Sequence, residues 1–141
     1  VIAVDTNILV YAHREEMPGH LAAYARLKTL AEGAAPWGVP AFCLGEFLRV
    51  VTHPRVLSPA SPLPLALDFL TALLASPTVR LLIPDERYFD LLRAQMEQAK
   101  ATGNLVFHAQ IAAVCVAHGA TLLTADRDFS RFAISLERFD S

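Results

Sequence analysis

Val1-Ile2-Ala3-Val4-Asp5-Thr6-Asn7 opens the chain, and everything else can be read outward from it. Four apolar residues in a row, two of them Val and one Ile, predict a short buried strand. Asp5 and Thr6 end it abruptly. In open α/β sheets the ligand sits outside the carboxyl ends of the strands, so a carboxylate in this place is a candidate functional group. Asp5 also has a plainer reading as a helix cap. Thr6 is a candidate cap for the helix that Asn7-Ile8-Leu9-Val10-Tyr11 begins. The other acids along the chain have to decide.

The 141 residues suit one domain over residues 1–141, large enough to bury a core. A hydrophobic share of 54% excludes a disordered chain. The net charge of −2 gives no overall basic signature of a nucleic-acid binder. Of the twelve basic residues only Lys28 and Lys100 are lysine, and arginine suits bidentate contacts to phosphate or carboxylate. Cys43 and Cys115 lie in apolar helical patterns and are expected as reduced core residues, which fits a cytoplasmic protein. No basic segment followed by an apolar run opens the chain, so no secretory leader is expected. The longest apolar runs, broken by Asp68 and His108, are too short to span a bilayer, and no membrane partner is expected.

Helical spacing predicts helices to about residue 12, from Pro18 to Gly33, and over 42–52, 65–75, 88–103 and 107–117. Strands are expected at 37–40, with Pro40 at its edge, and at 79–83, 121–124 and 133–136. The Pro/Ser-rich loop at 53–62 has a length at which loops are often functional. Strands alternating with helices mean an α/β fold with a mainly parallel central sheet.

Leu122-Leu123-Thr124-Ala125-Asp126 ends as the first strand does. If the two strands are parallel neighbours, Asp5 and Asp126 reach one edge of the sheet. Glu46 lies in an apolar helix, where an unpaired acid costs several kcal/mol unless it meets a cation, a metal or a cleft. Asp128 is close enough in sequence to join Asp126. Converging carboxylates without a fixed cation are the hard-oxygen arrangement that holds Mg²⁺ or Mn²⁺. Such ions activate water for in-line displacement at phosphorus. Taken singly, each acid reads as well as a cap or a surface charge; together they favour a site.

These residues resemble the PIN-domain ribonucleases, and within them the VapC-type toxins of toxin–antitoxin pairs. The matching pieces are Val4-Asp5-Thr6-Asn7, the helix bearing Glu46, and Gly103-Asn104-Leu105-Val106. Ala109-Gln110-Ile111-Ala112-Ala113 and Leu123-Thr124-Ala125-Asp126-Arg127-Asp128-Phe129 follow in the family's order. The resemblance implies a PIN-like three-layer α/β/α fold and an acid cluster that binds Mg²⁺ or Mn²⁺ and cuts RNA. It carries the metal role to Asp5, Glu46 and Asp126, with Asp128 accessory. It gives Thr124, and more weakly Thr6 and Asn7, the task of orienting waters or acids. It also implies a cognate antitoxin and a homodimer.

One position departs from the family pattern. The residue before the Ala-x-Ile-Ala-Ala run is usually Asp and here is His108, and no acid occurs between Glu97 and Asp126. Imidazole is a poor Mg²⁺ ligand and an acceptable one for Mn²⁺ or Zn²⁺. His108 is thus a substitute ligand or proton shuttle, or the mark of a weakened site, or the mark of a module that only binds antitoxin or RNA. A third class, a phosphohydrolase with Asp5 as nucleophile, usually wants a second acid where Asn7 stands. His53, Arg55, Arg127 and Arg131 are candidate phosphate contacts; Arg14 and Arg49 are weaker ones.

Overall fold

The computed structural model describes residues 1–140. Its elements in order are β1 (Ile2–Val4), α1 (Thr6–His13), α2 (His20–Glu32), β2 (Trp37–Pro40), α3 (Ala41–Val51) and α4 (Leu63–Leu74). Then come β3 (Val79–Leu82), α5 (Tyr88–Ala99), α6 (Leu105–Ala117), β4 (Thr121–Thr124), a 3-10 turn (Arg127–Arg131) and β5 (Ser135–Arg138). The five strands form one sheet in the order β3-β2-β1-β4-β5, and every pairing is parallel.

The apolar run of β1 is the centre of that sheet. Ala3 and Val4 are fully buried, as a strand covered on both faces must be. From β1 the chain steps outward to β2 and β3, then crosses back to β4 and on to β5. Right-handed crossovers place the helices of steps in opposite directions on opposite faces. So α1 to α4 cover one face, and α5 and α6 cover the other. The direction reverses between β1 and β4, which is the switch point where open α/β sheets leave a crevice. The register pairs Val4 with Leu123, so the residues just beyond both strands lie side by side.

Several expectations shift in detail. The cap of α1 is Asp5 itself, whose side chain accepts from the Thr6 N–H; Thr6 is the first helical residue. Pro18 lies in the turn ahead of α2, which starts two residues later. β2 is an interior strand, and Pro40 stands at its carboxyl end, where no further ladder bond is needed. β5 begins at Ser135, two residues later than its apolar residues suggest. It is an edge strand, and its alternation is not enforced by burial. α6 is buried over Ile111 to Cys115, and Gly119 turns the chain into β4 at a φ of +60° that favours glycine. None of the described helices is long and apolar enough to cross a membrane.

Candidate active site

Asp5 is only 3% exposed, and its carboxylate is fully engaged by neutral donors. Oδ1 accepts from the Thr6 N–H at 2.7 Å and lies 3.8 Å from the Cys43 thiol. Oδ2 accepts from the Thr124 hydroxyl at 2.7 Å and from the Asn7 amide at 3.1 Å. Burial pushes its pKa up to about 6, and the charges of Glu46 and Asp126 add to the rise against the Thr124 and Thr6 hydrogen bonds. Asp5 is therefore a cap and a pocket residue at once.

Thr124, the last residue of β4, links the two strand-end acids. Its Oγ1 donates to Asp5 and accepts from the Asp126 N–H at 2.9 Å. Asn7 braces the same junction from α1, its Oδ1 accepting from the Ala125 N–H at 3.2 Å. The Thr6 hydroxyl is buried without a partner, so Thr6 holds Asp5 through its backbone alone.

Asp126 divides its carboxylate. Oδ1 caps the 3-10 turn by accepting from the Asp128 N–H at 2.9 Å, and Oδ2 is 2.8 Å from His108 Nε2. His108 Nε2 is also 4.0 Å from Asp128 Oδ2. Ligand atoms of His108, Asp126 and Asp128 all lie within 4.8 Å of one another. Asp128 itself is exposed. The His108 ring packs beside Phe129, with centroids 4.8 Å apart. Its Nδ1 is buried with no partner. A proton on Nε2 satisfies Asp126; a proton on Nδ1 would be buried with no acceptor.

Asp5, Asp126 and Glu46 line one open pocket of about 580 Å³ together with Asn7 and His108. Glu46 reaches it from α3, half-buried, while Cys43, Phe47 and Val51 of that helix enter the core. Among the described residues no Lys or Arg pairs with any of these acids or with Asp128. Arg49, a weak candidate by sequence, lines the pocket too, as do Phe107 and Tyr11, which no sequence pattern marks. None of His53, Arg55, Arg127 and Arg131 lines it. Arg131 instead donates to the Ala99 carbonyl. The 53–62 loop is likewise away from the pocket. Arg14 fixes it by donating to the Pro59 carbonyl and the Ser61 hydroxyl.

The PIN domain profile matches residues 2–135. The chain belongs to the PIN-domain family. Within that family its relatives are VapC ribonucleases. Ribonuclease VapC43 of Mycobacterium tuberculosis is 40% identical over 133 residues, covering 94% of this chain and 90% of its own. Ribonuclease VapC31 of the same organism is 35% identical over 130 residues, covering 92% of each chain. Among solved structures, VapBC2 from Rickettsia felis, described as bound to a DNA fragment from their promoter, superposes with a TM-score of 0.70. That likeness covers 99% of this chain and 98% of the other at 24% identity. Mycobacterium tuberculosis VapC20, described as a Sarcin-Ricin loop cleaving toxin, gives a TM-score of 0.68 at 18% identity, covering 94% and 97%. At these identities the two structures share the PIN fold with this chain. In this PIN domain the acids at the ends of β1 and β4 occupy the crevice that the strand order creates.

Proposed function

We propose that this PIN domain is a divalent-metal-dependent endoribonuclease of the VapC toxin type, restrained by a cognate antitoxin. The observation that carries the reading is Asp5, a buried carboxylate at the switch point, tied through Thr124 to Asp126 and paired with no Lys or Arg among the described residues. Burial of a carboxylate without countercharge is costly, and a bound cation removes that cost. Asp5, Glu46, His108 and Asp126 line one pocket, and among the described residues the ligand atoms gathered within 4.8 Å are those of His108, Asp126 and Asp128. A hard ion would be held by the carboxylate oxygens of Asp126 and Asp128, with Asp5 and Glu46 on the wall of the same pocket. Bound Mg²⁺ or Mn²⁺ supplies an activated water and neutralises charge at the phosphodiester.

The residues divide the remaining work. Thr124 and Asn7 hold the Asp5 carboxylate in place by donating to Oδ2. Glu46 has no hydrogen-bond partner among the described residues, so its carboxylate is free to accept the proton that the attacking water gives up. With a proton on Nε2, His108 donates to Asp126 Oδ2 across 2.8 Å and steadies it. Metal-ligating histidines almost always donate from their other nitrogen, and the His108 Nδ1 has nothing to donate to. A positioning role therefore suits His108 better than direct ligation.

A second reading is favoured by the same 2.8 Å contact. A His108 side chain that occupies Asp126 weakens the cation site and leaves a module that binds antitoxin or RNA. Cleavage of a structured RNA by the parent chain and by His108→Asp, each in Mg²⁺ and in Mn²⁺ with Asp5→Asn as blank, separates the two. Cleavage by the parent above the blank supports the nuclease; cleavage by His108→Asp alone supports the binding module. The promoter-bound VapBC2 complex supports antitoxin pairing. We read the chain further as a cytoplasmic homodimer, which size measurement with and without antitoxin tests.

A further inference from the structure

We propose that Arg49 and Phe107 form a two-point grip on the nucleotide next to the reacting phosphodiester, Arg49 pairing with a backbone phosphate and Phe107 stacking on an unpaired base. The proposal rests on the ribonuclease reading and names the part of the substrate that this pocket takes.

The pocket has one electrostatic difficulty. Asp5, Glu46 and Asp126 line it, and an RNA strand arrives with a negative charge at every linkage. Among the described residues, Arg49 is the only Lys or Arg that lines the pocket. It stands on α3 one turn beyond Glu46, the i, i+3 position from which an ion pair is easily made. Among the described residues it makes none. Arg14, Arg26, Arg87 and Arg93 are all engaged with carboxylates. Arg49 thus presents an uncommitted guanidinium to the pocket, and its planar fork of donors matches phosphate oxygens.

Phe107 stands across the pocket at the start of α6, one residue before His108. It is 60% exposed, although α6 is among the most buried helices of the fold. Among the described residues its ring stacks on no other; His108, Phe129 and Phe132 pack with one another instead. An apolar ring held in water beside a nuclease pocket is a platform for a base, because every base has a π-face. Duplex bases are hidden in the stack, so the platform selects unpaired nucleotides in single strands or loops. Asn104, exposed on the same rim and without a capping bond, is placed to contact the edge of that base.

The test measures binding in chains that all carry Asp5→Asn, in Mn²⁺, so that the RNA stays intact. The probe is a fluorescein-labelled single-stranded octaribonucleotide, read by anisotropy over a range of salt. Arg49→Gln should weaken binding and lower the slope of log K against log salt by about 0.7, the value of one phosphate contact on a single strand. Phe107→Ala should weaken binding roughly tenfold with the slope unchanged, and Phe107→Trp should restore it. The annealed duplex should bind with no dependence on Phe107. If Arg49→Gln and Phe107→Ala bind the single strand as the parent does, with unchanged melting, the grip is wrong and the ribonuclease reading stands. If the parent binds no RNA and the unsubstituted chain cuts none, both fall together. If Phe107→Ala loses antitoxin and keeps RNA, the rim is a protein dock and the proposal is overturned.

Discussion

Thr124 Oγ1 donates to Asp5 Oδ2 at 2.7 Å, joining residues 119 positions apart at the centre of the sheet. The same oxygen accepts the Asp126 N–H, so one hydroxyl sets the relation between both strand-end acids. Thr124→Val keeps the shape and removes both bonds. Supporting groups around ligands are worth 10–100-fold in metal affinity, so Mn²⁺ binding by calorimetry, without RNA, should weaken by about that factor. Unchanged Mn²⁺ affinity would show that the hydroxyl does no more than close the core.

Asp5 makes a prediction about pH in the metal-free protein. Its pKa is raised from the ordinary 3.8 to about 6, chiefly by burial. Between these values the folded state holds more protons than the unfolded one, so the Asp5 contribution to stability falls as pH rises from 4 to 6. The rise corresponds to a cost on the order of 3 kcal/mol at neutral pH. Asp5→Asn has no such proton. In chelator its melting temperature relative to the parent should therefore climb between pH 4 and 6 and level off above. A difference that stays flat across that range would contradict the buried, uncompensated carboxylate.

Much of this was legible in local patterns. The runs before Asp5 and Asp126 announced two buried strands with acids at their ends, and burial on both faces of a central parallel strand makes such runs unambiguous. The pairing of β1 with β4 brings those acids together. What the chain hid was long-range or masked by uniform apolarity. Phe107 reads as one more core residue of α6, since nothing in Leu105-Val106-Phe107 tells a wet ring from a buried one. Arg49 looked like any solvated charge until the fold turned its face of α3 to the pocket. Arg14 looked like surface, yet it is nearly buried and holds the 53–62 loop. For His108 the sequence posed the question, and only the orphaned Nδ1 and the contact to Asp126 favour one answer.

Gly38 in β2 tests the packing between the sheet's inner strands and its edge. A Cβ there would lie 2.9 Å from Leu82 Cγ and Cδ2, closer than real contacts allow. Gly38→Ala should lower stability by about 1–3 kcal/mol, the usual cost of overpacking, read from the urea midpoint. Leu82→Val in the same chain should return part of the loss. Independent, additive effects of the two substitutions would place the strain elsewhere.

Arg14 supplies a prediction in which stability and activity part company. Its guanidinium donates to the Pro59 carbonyl at 2.6 Å, to the Ser61 hydroxyl at 3.1 Å and to Glu16, and the side chain is only 10% exposed. His13 reaches the same Ser61 hydroxyl at 2.9 Å. Arg14→Gln is too short for the Pro59 carbonyl and leaves buried acceptors unpaired. Hydrogen bonds to charged groups contribute about 1.5–3 kcal/mol each where buried partners are left unsatisfied. The expected result is a loss of about 2–3 kcal/mol and rapid proteolysis within 53–62. Because that loop does not line the pocket, Mn²⁺ affinity should be unchanged at temperatures where the variant is folded. A parallel fall in Mn²⁺ affinity would mean that the loop supports the acids after all, by way of α1, which Asp5 caps at its start and Arg14 at its end.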